Sequence, residues 1–212
     1  MTPKPPTAPI RVLVVDDHAI VRDGIAALIG RQSDMEMAGE AADGIEAVAK
    51  FRELAPDVVL MDVQMPGMGG VEAIEAIRKI APSAHVLVLT TYPGDAQAVR
   101  AMRAGAAGYL LKNCVRKELV DAIRSVHAGR RAMSADIAHE VALHVLDEPL
   151  SERELAVLRL VAEGQGNKEI ARQLDLSTDT IKAHLKAIFA KLRVDDRTHA
   201  VTVAARRGYL SP

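Results

Sequence analysis

A four-residue apolar run, Val58-Val59-Leu60-Met61, stops at Asp62, and Gln64-Met65-Pro66-Gly67-Met68-Gly69-Gly70 follows almost at once. So short a run, flanked by Pro56 and by a Pro-Gly turn, predicts a strand buried on both faces. Asp62 then stands where that strand leaves the sheet. Open α/β sheets bind ligands in the crevice beyond the carboxyl ends of their strands. Asp62 is therefore a candidate acceptor for a phosphoryl group, with the neighbouring elements building and using its site.

The pattern around this run repeats. Apolar strands are predicted at Ile10 to Val15, Met35 to Ala41, Asp57 to Met61, His85 to Thr90 and Ala107 to Leu111. Helical spacing is predicted at Ala19 to Ile29, Ile45 to Leu54, Val71 to Ile80, Ala96 to Ala104 and Val115 to Ala128, with Asp43 a candidate N-cap. Five strands alternating with five helices through short loops define a doubly wound parallel sheet, and the flavodoxin-like strand order is expected. No Gly-x-Gly-x-x-Gly and no P-loop is present, so nucleotide binding has no support.

After residue 129 the pattern changes. Residues 129–147 read as a linker, with a short helix expected between Asp136 and Leu146, and residues 1–9 as a disordered tail. From 148 to 212 strands disappear. Ser151 and Glu154 form a capping-box pattern ahead of a helix from Glu152 to Ala162. Gly164-Gln165-Gly166 breaks it. A second helix is expected at Asn167 to Leu174, a third from Ser177 to about Leu192, and a fourth from Arg197 to Arg207. Two helices joined by a tight turn, the second with a polar face, constitute helix-turn-helix organisation.

Composition narrows the functions open to this chain. Hydrophobic residues are 49% and aromatics 2%, so the core is aliphatic. A net charge of −1 argues against coating nucleic acid along the whole length, but not against one basic face. The single cysteine, Cys114, excludes an intramolecular disulfide and a Cys-rich zinc site. The proline-rich MTPKPPTAP lacks the apolar core of a signal peptide, and no apolar run has the length to span a bilayer. A cytoplasmic protein with no membrane partner is expected.

Asp16, Asp17 and Asp62 fall at the carboxyl ends of two adjacent strands, and Lys112 ends another on the same edge. Clustered carboxylates raise one another's pKa unless a cation sits among them. Few carboxylates, with water and phosphate oxygens completing an octahedron, suit Mg²⁺. Lys112 supplies a fixed positive charge for phosphoryl oxygens, and Thr90 a hydroxyl. His18 is placed at the rim of the site. His144, Cys114 and the packing methionines Met61, Met65 and Met68 are given no role.

The set Asp16-Asp17, Asp62 with Met65-Pro66-Gly67, Thr90, Tyr109 and Lys112 resembles the receiver domain of two-component response regulators over residues 10–128. That resemblance implies a phosphoacceptor at Asp62, phosphorylated by a sensor histidine kinase. It implies Mg²⁺ held by Asp17, Asp62 and the backbone carbonyl of Gln64, with Asp16 acting through water. It makes Thr90 and Tyr109 a switch pair. One departure is Asn113, where many receivers carry proline after the lysine. The enzymatic alternative, an Asp-nucleophile phosphatase, lacks a second acid in Val63-Gln64 and a cap insertion for a substrate pocket.

On the helix after Ser177, Lys182 and Lys186 share a face, with small Ala183 beside them. Ile181, Leu185, Ile188, Phe189 and Leu192 supply the apolar side. In a major groove, Lys182, Ala183 and Lys186 would lie nearest the bases, with Lys168, Thr178, Thr180, His184 and Lys191 on phosphates. Nine basic against five acidic residues from Asn167 onward is a modest surplus, so the pattern carries this expectation more than the charge does. The segment LSERE…GNKEIARQLDLSTDTIKAHLKAIFAKLRV resembles the LuxR-type helix-turn-helix domain, and the whole chain resembles the NarL/FixJ response regulators. The resemblance implies double-stranded DNA as partner and a homodimer on phosphorylation. The Arg197 to Arg207 helix is the candidate dimer surface.

Overall fold

In the computed structural model, residues 8–91, 95–113, 116–133, 137–139, 142 and 148–210 are described. The chain divides into two compact units, one holding the sheet and one the C-terminal helices.

The first unit runs β1 (Ile10–Val15), α1 (Ala19–Ile29), β2 (Met35–Ala41), α2 (Gly44–Leu54), β3 (Val58–Met61), α3 (Gly70–Ile80), β4 (Val86–Thr90), α4 (Asp95–Ala104), β5 (Gly108–Leu111), α5 (Arg116–His127) and β6 (Ala132–Met133). The strand order is β2-β1-β3-β4-β5-β6, and every pairing is parallel. Val12, Val14, Val58, Leu60, Leu87, Leu89 and Leu110 form one core with Ile25 and Ile29 of α1 and Leu119, Ile123 and Val126 of α5. The alternate strand positions, Leu13, Val15, Val59, Met61, Val86 and Val88, are equally buried. Both faces of the sheet are thus covered, which is why its central strands read as unbroken apolar runs. Burying each such side chain stabilises the fold by about 1.5–3 kcal/mol, more than strand propensity can contribute.

Local chemistry sets the helix ends. The Asp43 carboxylate accepts from the Glu46 N–H at 2.8 Å, and Glu46 Oε2 accepts from the Ala42 N–H at 2.7 Å. At the other end of α2, Ala55 adopts a left-handed φ of 43°. The Arg11 guanidinium takes up the freed carbonyls there, at 2.6 Å from Leu54 O and 3.0 Å from Ala55 O.

The sheet has six strands where five were expected. Ala132–Met133 lies inside the expected linker, yet pairs in parallel with Gly108 and Tyr109. Gly108 permits this, because a Cβ there would stand 2.4 Å from Ala132 O. Two residues after an arginine pair carry no strand periodicity, so only pairing reveals them. Of the helix expected between Asp136 and Leu146, residues 137–139 and 142 are helical, and the rest lies outside the described residues.

The loop after Asp62 is pinned at two points. The Gly44 N–H donates to Met68 O at 3.2 Å, and the Gly70 N–H to Val63 O at 3.0 Å. A Cβ on Gly70 would stand 2.0 Å from Asp62 O and 2.8 Å from Val63 Cα, both backbone atoms that cannot swing aside. Gly70→Ala is therefore expected to lose about 1–3 kcal/mol or more of stability, read as a lowered urea midpoint. An unchanged midpoint would mean that the loop can open without disturbing β3.

The second unit holds α6 (Glu152–Ala162), α7 (Asn167–Gln173), α8 (Thr178–Leu192) and α9 (Arg197–Arg206). The capping box forms as the sequence predicts: Ser151 Oγ accepts from the Glu154 N–H at 3.2 Å, and Glu154 Oε2 accepts from the Ser151 N–H at 2.7 Å. Ser177 caps α8, and Asp196 caps α9. Leu158, Val161, Ile170, Ile181, Ile188 and Ala204 are among the residues that close the core. The α7–α8 turn passes through Asp175 at a φ of 53°. The Arg153 guanidinium holds the preceding carbonyl, Leu174 O, at 2.8 Å.

Candidate phosphoacceptor site and nucleic-acid interface

β1 and β3 are neighbours with Val15 opposite Met61, so Asp16 and Asp62 leave the sheet side by side. The Asp62 N–H donates to Val15 O at 2.9 Å and fixes that exit. β5 ends at Leu111 opposite Thr90, and Lys112 follows, its own N–H bonded to Thr90 O at 2.6 Å. From there the lysine spans β4 to the acids. Its Nζ lies 2.7 Å from Asp62 Oδ2 and 2.6 Å from Asp16 Oδ2. Asp62 is 4% exposed and Asp16 2%.

Burial pushes the Asp62 carboxyl above the usual carboxylate range. The Lys112 ammonium pulls the other way without overcoming it, and the neighbouring Asp16 charge adds to the rise. Burial alone would lower Lys112, but its hydrogen bonds to Asp16 and Asp62 outweigh that and hold the ammonium above its ordinary value. Asp62 thus shares a nearly buried site with one cation, the Lys112 ammonium.

Thr90 and Tyr109 are both fully buried. The Tyr109 hydroxyl is hydrogen-bonded with Thr90, and burial pushes it above its ordinary range. The two residues of the expected switch pair are thus already in contact. Gln64 donates its N–H to Asp62 Oδ1 at 3.3 Å. No cis peptide bond occurs among the described residues, and Lys112 reaches both carboxylates with Asn113 after it.

Asp16, Asp17, His18 and Asp62 each offer a ligand atom, all within 4.8 Å of one another. Asp17 Oδ1 is buried yet accepts no hydrogen bond among the described residues. His18 Nδ1 lies 2.7 Å from it, close enough for an ion pair but not aligned as a donor. Three carboxylates with one unsatisfied oxygen fit a hard divalent cation such as Mg²⁺. His18 is the member that periodicity could not find. Its signal is its place directly after Asp16-Asp17, where the turn into α1 begins.

In the second unit, Ile181, Leu185, Ile188 and Leu192 of α8 are buried, while Lys182, Ala183 and Lys186 are exposed. Lys182 makes a solvent-exposed pair with Asp179 at 2.9 Å, which is worth little and easily exchanged. Lys168 is exposed; Thr178, Thr180 and His184 are half-buried at the start and middle of the helix. Thr180 shares its hydroxyl with Ser177 Oγ at 2.8 Å as part of the cap.

Lys191 departs from the expected phosphate contacts. Its Nζ lies 2.9 Å from Glu154 Oε2 and 3.1 Å from Glu148 Oε1, and donates to Pro149 O at 3.2 Å. Glu154 is nearly buried, so moving this ammonium to a phosphate would strand a buried carboxylate. Lys191 instead ties α8 to the start of α6. Arg197, on the candidate dimer helix, has an inward task too: it bonds Asn167 Oδ1 at 3.3 Å and Gln165 O, holding the start of α7. The outer face of α9 carries Thr198, His199, Thr202 and Ala205.

A buried strand-end aspartate bridged by a lysine to a second acid, on a doubly wound sheet, with a separate helix-turn-helix unit, defines a receiver-linked DNA-binding regulator. Residues 12–124 match the response regulator receiver domain, and residues 148–204 match the luxR family of bacterial regulatory proteins. The chain belongs to the two-component response regulators that join these two domains, the NarL/FixJ-like architecture. The response regulator protein VraR of Staphylococcus aureus is 42% identical over 200 residues, covering 92% of this chain and 96% of VraR. The crystal structure of ChrA, a response regulator in a heme-sensing two-component system, is 35% identical with a TM-score of 0.56, covering 96% of this chain and all (100%) of that one. RcsB of Salmonella enterica serovar Typhimurium, bound to promoter DNA in the presence of the phosphomimetic BeF3-, is 27% identical with a TM-score of 0.69, covering 93% of this chain and 98% of RcsB. The family is one of transcriptional regulators rather than of enzymes. No helix among the described residues is long and apolar enough to cross a membrane.

Proposed function

We propose that this chain is a cytoplasmic transcription factor switched by phosphorylation of Asp62, with a sensor histidine kinase as phosphoryl donor. The receiver would occupy residues 10–128 with β6 added beyond it, the joint would run to 147, and residues 148–212 would bind DNA. The observation that carries the reading is the Lys112 ammonium bridging Asp62 and Asp16 at 2.7 and 2.6 Å. It holds the Asp62 carboxylate in place, and it stands where the oxygens of a phosphoryl group on Asp62 would need a counter-charge. Asp17 and Asp62, with the backbone carbonyl of Gln64 and with Asp16 through water, would hold Mg²⁺. Bound there, the ion supplies charge neutralisation as an anionic donor approaches an anionic acceptor.

Phosphorylation adds about −1.5 to −2 charges if an acyl phosphate behaves as other phosphoryl groups do. Thr90 and Lys112 would rearrange around it, and Tyr109 would carry the change through its contact with Thr90 to the α4–β5 face. Moving a population from about 1:99 to 99:1 takes roughly 5.5 kcal/mol, which phosphorylation and dimerisation would supply jointly. In DNA, Lys182, Ala183 and Lys186 would face the bases, and Lys168, Thr178, Thr180 and His184 the phosphates. The outer face of α9 is the candidate contact between two copies on a two-fold site.

Genomic DNA captured by the purified chain, sequenced with and without acetyl phosphate and Mg²⁺, tests the proposal. A two-fold motif enriched only after phosphorylation is the expected result. Equal capture in both states would remove phosphorylation as the gate.

A further inference from the structure

Arg22 lies in the first turn of α1, yet its side chain is only 18% exposed. The guanidinium folds back over the helix start to the end of β1. Nη1 donates to the Asp16 carbonyl oxygen at 2.7 Å, and Nε donates to Glu40 Oε2 at 3.2 Å. The helix backbone does not take that carbonyl, because the N–H groups of Val21 and Arg22 go to His18 O. On its other side Asp16 donates its N–H to Ala41 O at 3.1 Å. Both peptide groups of Asp16 are therefore referred to the end of β2, one directly through Ala41 and one through Arg22 and Glu40. That strand end is braced in turn: Lys50 Nζ donates to Glu40 O and pairs with Glu46 Oε1 at 2.8 Å.

We propose that Arg22 is a positioning residue for phosphoryl transfer, holding the Asp16–Asp17 peptide in the orientation that presents both carboxylates beside Asp62. The Asp16 carbonyl lies in the peptide plane that joins the two acids. If that plane turned, ψ of Asp16 and φ of Asp17 would change together, and the Asp17 carboxylate would swing away. The Asp16 carboxylate is tied to Lys112 at 2.6 Å. Asp17 has no lysine and takes its direction from its backbone, so it is the acid that depends on Arg22. Arginine suits the task because its planar fork donates in two fixed directions at once, whereas an ammonium is a point charge on a flexible stem. This role rests on the phosphoacceptor reading above and adds to it a residue outside the acidic set.

Acetyl phosphate labelling of the full chain, timed across a range of Mg²⁺ concentrations, tests this beside calorimetric Mg²⁺ titration without donor and urea denaturation. Arg22→Met is expected to slow labelling about tenfold, less than the hundredfold that a misplacement of about 1 Å can cost. Its half-saturating Mg²⁺ concentration should rise in both measurements. Arg22→Lys, which keeps the charge but not the fork, should resemble Arg22→Met more than the wild type. Glu40→Ala alters a side chain that is 40% exposed, so it should fold normally and slow labelling in the same direction. Adding it to Arg22→Met should bring no further slowing, because Glu40 acts through Arg22. A folded Arg22→Met with wild-type rate and Mg²⁺ half-saturation would overturn the proposal, even with a lowered urea midpoint, and leave the arginine a structural tie. Wild-type behaviour of Arg22→Lys would overturn it too, making charge rather than directed bonding the cause. If Arg22→Met does not fold, Glu40→Ala decides alone, and wild-type labelling there counts against the proposal. Asp62→Asn keeps the two levels apart: labelling that persists in it brings down the phosphoacceptor reading, which an unchanged Arg22→Met leaves standing.

Discussion

Asp62→Asn is expected to reduce phosphoryl labelling by acetyl phosphate to background while leaving the fold intact. The amide has nearly the shape of the carboxylate but cannot form the acyl phosphate. Its effect on stability has a definite sign. Burial raises the Asp62 pKa in the folded chain, so this group's contribution is fully present below the unfolded value and is lost as pH rises through the folded one. Burial disfavours the ionised form, and Lys112 offsets part of that cost. The variant should therefore gain less stability than the wild type when pH falls from 7 toward the carboxylate range, read as the difference in urea midpoints. Persistent labelling of Asp62→Asn would sink the phosphoacceptor assignment.

Lys112→Met should produce the second large effect, and of a different kind. The lysine is the cation shared by Asp62 and Asp16, both nearly buried. Removing one partner of a buried pair leaves uncompensated charge and costs about 3–5 kcal/mol. Near pH 7, without divalent cations, the receiver should lose about 3 kcal/mol. In the wild type the raised Lys112 pKa means that the ammonium's contribution is present at neutral pH and is lost only as pH rises through its folded value. In the variant the two carboxylates repel without a counter-charge, so part of the loss should return on acidification and part on adding Mg²⁺. Denaturation at two pH values, with and without Mg²⁺, reads both. An unaltered wild-type midpoint would show that solvent, not Lys112, neutralises the site.

Much of this was legible in the chain because it is local. The run Val58 to Met61 had to be a doubly covered strand, since only burial on both faces tolerates four consecutive apolar side chains beside a turn. Ser151 with Glu154, Ser177 and Asp43 announced their helices because a cap needs only residues three apart. The order of acids, threonine and lysine at successive strand ends followed from the alternation, because parallel strands all end at the same edge.

Other features depend on which distant segments meet. β6 is two residues long, and it exists because Gly108 leaves room for Ala132 at the sheet edge. Lys191 has the spacing of a DNA-facing residue, but Glu154 and Glu148, far away in sequence, take its charge. His18 has no periodic partner, and its place over Asp17 comes from a backbone bond to Asp16. The sequence by itself determined the layered α/β class, the helix-turn-helix unit and the phosphoacceptor candidate, because periodicity, caps and strand-end residues are written within a few positions of one another. Only the tertiary structure decided which charges are already engaged, because an ion pair depends on distance in space and burial, and neither is encoded in spacing along the chain.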